Sequence, residues 1–137
     1  KLKQFYEAAF KDVPQRKIEY KLYSGEGMVN CRSGRTGFCI NPVGEVYPCV
    51  GFPVAVGNLR KRKFHEIWAS SSLLKEMRED SLKSLSTCSK CDLFSFCMRC
   101  KGMAYTEEGN RFSPLKEACR LAKIVKEVTE IEKKKIL

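Results

Sequence analysis

Eight cysteines and one histidine are the residues of this 137-residue chain best suited to binding metal. Four of the cysteines lie within thirteen residues, as two C-x2-C pairs separated by five residues: Cys88, Cys91, Cys97 and Cys100. A C-x2-C pair can form a tight turn whose backbone N–H groups point at the sulfurs, so that both thiolates face one centre. We call residues 88–100 the cysteine hub.

The spacing in the hub favours two metal centres over one. Zinc ribbons usually leave roughly 12 to 20 residues between their C-x2-C pairs, which lets the second pair fold back over the first. Because only five residues separate the pairs here, we expect the fourth thiolate to point away, towards a second site. Eight is also the number of thiolates that two four-cysteine sites need.

A secreted domain with four disulfides is the competing interpretation of eight cysteines. The first five residues read as a helix already under way rather than as a signal peptide, and the cysteine spacings suit metal ligands better. We therefore predict free thiols and a reducing, cytoplasmic location. No apolar run approaches the roughly 20 residues that span a bilayer, so we expect no membrane association.

The formal net charge of +10 raises the question of a nucleic-acid partner. The lysines and arginines are dispersed along the chain, and metal-bound thiolates would offset much of their charge. We therefore do not expect a dedicated nucleic-acid site, while a basic face towards a protein or peptide partner stays open.

Residues 37–49 read as a β-hairpin. The Asn-Pro-Val-Gly sequence at residues 41–44 specifies a type I turn followed by a left-handed glycine. This turn sets Cys39 opposite Tyr47. Cys39 and Cys49 then lie on one face as diagonal neighbours, roughly 7–8 Å apart at Cα. That separation is generous for a disulfide and suits two ligands of one cluster.

Apolar periodicity predicts helices on both sides of these cysteines. Their apolar residues are, in chain order, Leu2, Phe5, Tyr6, Ala9 and Phe10; Phe64, Ile67 and Trp68; Leu73, Leu74 and Met77; and Leu115, Ala118, Cys119, Ala122 and Val125. Residues 70–72 can cap the third helix, and Ser113-Pro114 is predicted to open the last one.

The remaining segments are predicted to be loops, including residues 57–59 and the coil that follows the hub. His65 reads as a solvated surface residue and Trp68 as core. Together the elements predict an α+β fold: a small metal-stapled domain with a β-hairpin, short helices, cysteine-rich loops and a C-terminal helix.

The order of the cysteines resembles the SPASM domain, the C-terminal auxiliary-cluster domain of radical S-adenosylmethionine (radical SAM) enzymes that modify peptides or proteins. The resemblance rests on Cys31, the Gly44-x4-Cys49 motif, the hub and Cys119, and on the phrases at residues 41–49, 57–59 and 64–68. It covers about residues 31–122. Many members place three residues between the last two hub cysteines, where this chain has two, and Cys39 is additional to the common seven.

The resemblance implies two 4Fe–4S clusters that serve electron transfer and substrate positioning. It places one, the hub cluster, on Cys88, Cys91, Cys97 and Cys119. It places the other, the hairpin-side cluster, on Cys31, Cys49 and Cys100, with Cys39 as the natural fourth ligand by the hairpin argument. Without Cys39 that cluster would have an open iron that could bind substrate. The implied partners are the radical SAM catalytic core and a peptide or protein substrate, in an oxidoreductase that matures peptides.

The C-x3-C-x2-C motif of the radical SAM core is absent, because Ser84 and Leu93 stand where it would be completed. We therefore expect this chain alone to be inactive, with S-adenosylmethionine binding only in the core. Residues 1–30 are interpreted as the tail of the preceding barrel plus a linker, residues 31–122 as the SPASM domain and residues 123–137 as a C-terminal helix extension. An exposed apolar N-terminal helix would favour weak self-association.

A zinc-bound interaction or nucleic-acid module is the alternative function. Thiolate sites accept zinc as well as iron–sulfur clusters, so zinc could also substitute in either site.

Overall fold

The computed structural model describes residues 3–4 and 31–136 of the chain. The strands are β1 (Cys39–Ile40), β2 (Glu45–Tyr47) and β3 (Gly57–Asn58), and the α-helices are α1 (Phe64–Ser70), α2 (Ser72–Glu79), α3 (Lys101–Glu108) and α4 (Lys116–Ile136). Single-turn 3-10 helices lie at Leu82–Ser84, Cys88–Lys90 and Phe94–Phe96. This mixture confirms the predicted α+β class. The predicted linker, and the N-terminal helix except residues 3–4, lie outside the described residues.

The β1–β2 hairpin has the register that its turn predicts. Cys39 pairs with Tyr47, and Gly44 adopts the left-handed conformation with φ of +88°. The side-chain Oδ1 of Asn41 accepts hydrogen bonds from two backbone N–H groups of the turn, at 3.1 and 2.9 Å. Cys39 and Tyr47 therefore share one face of the hairpin.

A third strand, β3, completes an antiparallel sheet in the order β1-β2-β3. The sequence predicted a loop here, and that prediction is wrong. Gly57 pairs with Val46, and a Cβ at Gly57 would lie 2.7 Å from the side chain of Ile67 on α1. The glycine that reads as a loop signal is needed because the strand passes so close to the helix.

Helices α1 and α2 form where the periodicity predicts them and cover one side of the sheet. Ser71 caps α2, since its hydroxyl accepts a hydrogen bond from the Leu74 N–H at 3.3 Å. The largest fully buried apolar side chains come from the sheet, the two helices and the loops beside them: Val46, Pro48, Phe52, Ile67, Leu74, Met77 and Leu85. This core lies on the side of the sheet away from the cysteine face of the hairpin.

His65 and Trp68 differ in how well the sequence predicted them. His65 is exposed, as expected. Trp68 is half-buried rather than fully in the core. Its ring lies 5.5 Å from that of Phe64, and the Arg78 guanidinium stands 4.8 Å from its centroid. The indole therefore sits at the edge of the core, where a cation–π contact covers it.

Residues 101–108 form helix α3, so the predicted coil after the hub is wrong. Gly109 ends this helix in the left-handed conformation, with φ of +68°. Gly102, which favoured coil in the sequence, is required for packing instead. A Cβ at Gly102 would lie 1.9 Å from the carbonyl oxygen of Gly51. Helix α3 therefore touches the loop after Cys49 backbone to backbone.

Replacing Gly102 with alanine is expected to destabilise the domain by about 1–3 kcal/mol or more, because the new methyl group cannot fit without moving the backbone. Gly51→Ala is the matched control, since a Cβ on Gly51 meets nothing within 4 Å. Urea unfolding of the two variants measures the difference. Equal midpoints for the two would contradict the close contact.

The last helix begins at Lys116, two residues later than the Ser-Pro pair predicts. Leu115, just before the helix, and Ala122 within it belong to the predicted stripe and are buried, and Val128 is buried two turns further on. Lys3 of the N-terminal region forms an ion pair with α4, with its Nζ 3.7 Å from the Glu127 carboxylate. None of the described helices is long and apolar enough to cross a membrane.

Candidate metal centre

All eight cysteines lie within the described residues, and each is a free thiol. Cys91 is exposed, and the other seven are half-buried. Thiols at this depth combine access for a cofactor with partial exclusion of water. The backbone around them decides which can act together.

Two successive 3-10 turns build the first part of the hub. The turn at Cys88–Lys90 closes with a hydrogen bond from the Cys91 N–H to the Cys88 carbonyl at 3.2 Å. The next turn, at Phe94–Phe96, closes in the same way with the Cys97 N–H on the Phe94 carbonyl at 3.1 Å. Each turn thus ends on a cysteine with extended backbone angles.

The second C-x2-C pair does not form the tight turn that its motif predicts. Cys97 has φ of −98° and ψ of 122°, and Cys100 has φ of −110° and ψ of 126°. Residues 97–100 form no turn and no 3-10 helix, so the backbone does not fold Cys100 back towards Cys97.

Four thiols lie close together, and the pKa values of two of them, Cys88 and Cys97, are raised. Burial raises the pKa of Cys97, and the neighbouring thiolates of Cys119, Cys88 and Cys91 raise it further. Burial is also the main cause that raises the pKa of Cys88, with added contributions from Cys119 and Cys91. The Cys97 thiol donates to the Ala118 carbonyl at 4.0 Å, next to Cys119 on α4. The structure therefore brings the first three hub cysteines and Cys119 into one group.

The segments that carry Cys31, Cys39 and Cys49 meet at the end of β2. The Gly34 N–H donates to the Pro48 carbonyl at 3.0 Å, so the loop after Cys31 contacts the residue just before Cys49. Cys39 approaches from the other side, as the strand partner of the residue before Pro48.

Cys100 reaches the same end of β2 through helix α3. It is the N-cap of α3, two residues before the Gly102 that contacts Gly51. Gly51 in turn is two residues after Cys49. The buried ring of Phe52 packs on Tyr105 of α3 with centroids 5.1 Å apart, which holds the helix in this position.

Residues 31–92 match the SPASM family, described as an iron–sulfur cluster-binding domain. This part of the chain belongs to the SPASM family. The resemblance seen in the order of the cysteines is thereby confirmed. The matched segment contains five of the eight cysteines, from Cys31 to Cys91.

The curated relatives of this SPASM domain are enzymes of two kinds. An AdoMet-dependent heme synthase of Methanosarcina barkeri is 35% identical over 95 residues, which are 68% of this chain and 27% of the relative. A second heme synthase, from Nitratidesulfovibrio vulgaris, is 32% identical over 81 residues, 58% of this chain and 22% of its own length. The mycofactocin maturase of Mycobacterium tuberculosis is 36% identical over 78 residues, 52% of this chain and 19% of its own length.

The chain therefore spans about a quarter or less of the length of these relatives. No solved structure matches it significantly.

The thiols of this SPASM domain fit an iron–sulfur cofactor by donor type, because clusters are held by cysteine thiolates. In the part of the chain that the structure describes, no three Cys, His, Asp or Glu side chains converge as ligands of a single ion. Cys88, Cys91, Cys97 and Cys119 instead lie close to one another, and the segments that carry the other four cysteines meet at β2.

Arg99 is a residue beside the thiols that sequence reasoning missed. Its positive charge lowers the pKa of Cys88, against the larger effect of burial. Its guanidinium donates to the Ser113 carbonyl at 3.2 and 3.0 Å and also to the Arg111 carbonyl. Arg99 thus ties the hub to the loop before α4 and places a cation where thiolates would carry negative charge. Its place between two cysteines was the one available clue.

A polar cluster on the cysteine face of the hairpin was also missed. The Tyr47 hydroxyl donates to the Glu45 carboxylate at 2.7 Å, and the Asn41 side-chain amide donates to the same oxygen at 2.7 Å. These bonds lower the pKa of Glu45, while the bond to Glu45 is the main cause that raises the pKa of Tyr47. The phenol therefore stays protonated beside Cys39.

Asp80 is the centre of a buried ionic network that no sequence motif indicated. Its carboxylate accepts from Lys101 Nζ at 2.7 Å, and both side chains are almost fully buried. Arg111 donates to the same carboxylate at 3.2 to 3.3 Å. The Arg35 guanidinium donates to the Asp80 carbonyl at 3.1 Å. One residue thus joins the loop after Cys31, the start of α3 and the loop before α4.

Proposed function

We propose that residues 31–122 are the auxiliary-cluster domain of a radical SAM enzyme and hold two 4Fe–4S clusters. The hub cluster is assigned to Cys88, Cys91, Cys97 and Cys119, and the hairpin-side cluster to Cys31, Cys39, Cys49 and Cys100. The match to an iron–sulfur family carries this proposal. The two separate groups of thiols support its ligand sets. Bound clusters would supply one-electron transfer, with substrate positioning as the second role.

The chain's own residues prepare the hub for a negatively charged cofactor. Burial holds Cys88 and Cys97 as thiols in the metal-free protein, so they release protons when metal binds. Arg99 then offsets part of the thiolate charge. On the other side, the bond between Tyr47 and Glu45 fixes the hairpin face that presents Cys39.

The division of the hub cysteines between two clusters has support from the backbone. In two-cluster ferredoxins the last cysteine of a tight run serves the other cluster. Here no turn joins the last two hub cysteines, and Cys100 is the N-cap of the helix that packs on the loop after Cys49. Cys119, in contrast, interacts with Cys88 and Cys97.

Cys100→Ala is therefore expected to damage the hairpin-side cluster and spare the hub cluster, although Cys100 adjoins the hub in sequence. Cys119→Ala should do the reverse. Iron content should fall by about half in each variant, and electron paramagnetic resonance of the reduced proteins should lose a different signal in each. Loss of the same signal in both variants would show that the crossed assignment is wrong.

Metal analysis of anaerobically purified protein separates this proposal from a zinc module. We expect iron and sulfide in equal amounts, because a 4Fe–4S cluster contains four of each. Zinc without iron would refute the cluster proposal and favour the interaction module. Eight free thiols suit the reducing cytoplasm that we propose for the protein.

The proposed partners are the radical SAM catalytic core and a peptide or protein substrate. The similarity to a mycofactocin maturase supports the first candidate, an enzyme that matures a peptide or protein substrate. The longer match to heme synthases favours a second candidate, an enzyme that forms heme from a precursor. Product analysis of the full-length protein with S-adenosylmethionine and each kind of substrate distinguishes them. The proposed domain organisation has two further parts. Residues 1–30 are the barrel tail and linker, and residues 123–137 are the helix extension.

A further inference from the structure

A cavity of about 520 Å³ lies along the first turns of α4, beside Cys119. Three cationic side chains line it together with this cysteine: Lys116, Arg120 and Lys123. Cys119 is the one cysteine that lines the cavity, so the cavity gives access from the surface to one of the four thiols grouped at the hub. Its rim is basic, so part of the positive charge of the chain is concentrated around this cavity.

The three cations lie on consecutive turns of one helix face and are exposed. Arg120 is already paired with Glu117 at 2.7 Å, whereas Lys116 and Lys123 make no ion pair within the described residues. Glu108 is the acidic side chain of the lining. The two lysines therefore leave the rim with a positive excess that an acidic surface would neutralise.

We propose that this cavity is the docking surface for an acidic electron-carrier protein that passes one electron to the hub cluster. The inference rests on the proposed function, since the hub cluster is the electron acceptor. A carrier seated over the cavity would contact Cys119, the proposed cluster ligand, with no intervening segment. Redox encounters use small interfaces, and complementary charge increases their association rate.

The electron balance of the step is simple. The reduced centre of the carrier, a flavin or an iron–sulfur group, would lose one electron, and a cluster held by the hub thiols and Cys119 would accept it. No covalent bond forms or breaks, and no proton need move. The oxidised carrier then dissociates, which a small, charge-steered interface permits.

Stopped-flow reduction of the iron-loaded chain by reduced flavodoxin, an acidic flavoprotein, tests the proposal. Charge reversal in a Lys116→Glu/Lys123→Glu variant is expected to slow the reduction about tenfold or more at low salt. Lys61→Glu/Lys75→Glu is the matched control, because these lysines are also exposed and the change in net charge is the same. The control should retain nearly the wild-type rate, and equal slowing of both variants would overturn the proposal.

Iron content and reduction by a small uncharged photoreductant separate a docking defect from a missing cluster. A wild-type chain without iron refutes the proposed function itself. The other outcome concerns chains that contain iron and that the photoreductant reduces normally. If flavodoxin reduces the wild type and the Lys116→Glu/Lys123→Glu variant equally fast, only the docking surface is refuted.

Carbodiimide cross-linking gives a readout that does not depend on the cluster. Carboxylates of flavodoxin should couple mainly to Lys116 and Lys123, and coupling concentrated elsewhere would overturn the proposal. Acetylation of the two lysines can be compared in the presence of polyglutamate and of flavodoxin. If polyglutamate protects them and flavodoxin does not, the surface binds an acidic peptide, and the proposal is overturned.

Discussion

Asp80→Ala is expected to destabilise the iron-loaded domain by about 3–5 kcal/mol, because it leaves the Lys101 ammonium buried without a counter-charge. The Asp80 and Lys101 side chains are 3% and 2% exposed, so water cannot replace the lost carboxylate. Anaerobic urea unfolding gives the change. The loss would fall on the start of α3, where Cys100 lies.

Glu76→Ala is the matched control for Asp80. Glu76 pairs with the same Arg111, at 3.3 Å, but is 57% exposed, so its removal should cost about 1 kcal/mol or less. A second variant, Asp80→Ala with Lys101→Met, removes both buried charges and should recover much of the loss. A single Asp80→Ala variant as stable as Glu76→Ala would show that the buried network contributes little.

Removing the metal is expected to unfold the hub while the core of the sheet, α1 and α2 persists. The two 3-10 helices within the hub, Cys88–Lys90 and Phe94–Phe96, contain no buried residue, so apolar packing alone cannot hold them. Metal binding at a structural thiolate site contributes on the order of 10 kcal/mol to folding. Hydrogen exchange before and after chelation, in excess reductant, should show protection lost from residues 88–100 and retained around Val46 and Ile67.

Reconstitution with iron and sulfide controls for irreversible damage and should restore the protection of the hub. Two results would contradict the expectation. One is an unchanged exchange pattern after complete metal removal. The other is uniform loss of protection, which would mean that the apolar core also depends on the cofactor.

Local rules account for the parts of the fold that the sequence predicted. The turn at residues 41–44 determines the hairpin register, because its type fixes how the strands leave it. Ser71 predicts the start of α2 because a cap acts within one turn. The spacing of the cysteines and the SPASM resemblance together predict a ligand set of three hub cysteines and Cys119, and this set stays a prediction.

The missed elements depend on contacts between residues distant in sequence. Gly57 and Gly102 read as breaks in regular structure, yet each is a glycine because another element passes too close for a Cβ. Asp80 binds Lys101 and Arg111, which follow it by 21 and 31 residues. No local pattern marks such a pair, because neither its burial nor its partner is visible from neighbouring residues.

The position of Asp80 in the chain also sets an order of events during synthesis. The hairpin, α1 and α2 are complete by residue 79, whereas the partners of the Asp80 carboxylate emerge from the ribosome 21 and 31 residues later. Until then the carboxylate stays hydrated and α2 has a loose end. The ionic network and the approach of α3 to β2 therefore form last. Under the proposed ligand sets, a cluster that needs Cys100 or Cys119 is completed only on a chain whose hairpin, α1 and α2 have already been synthesised.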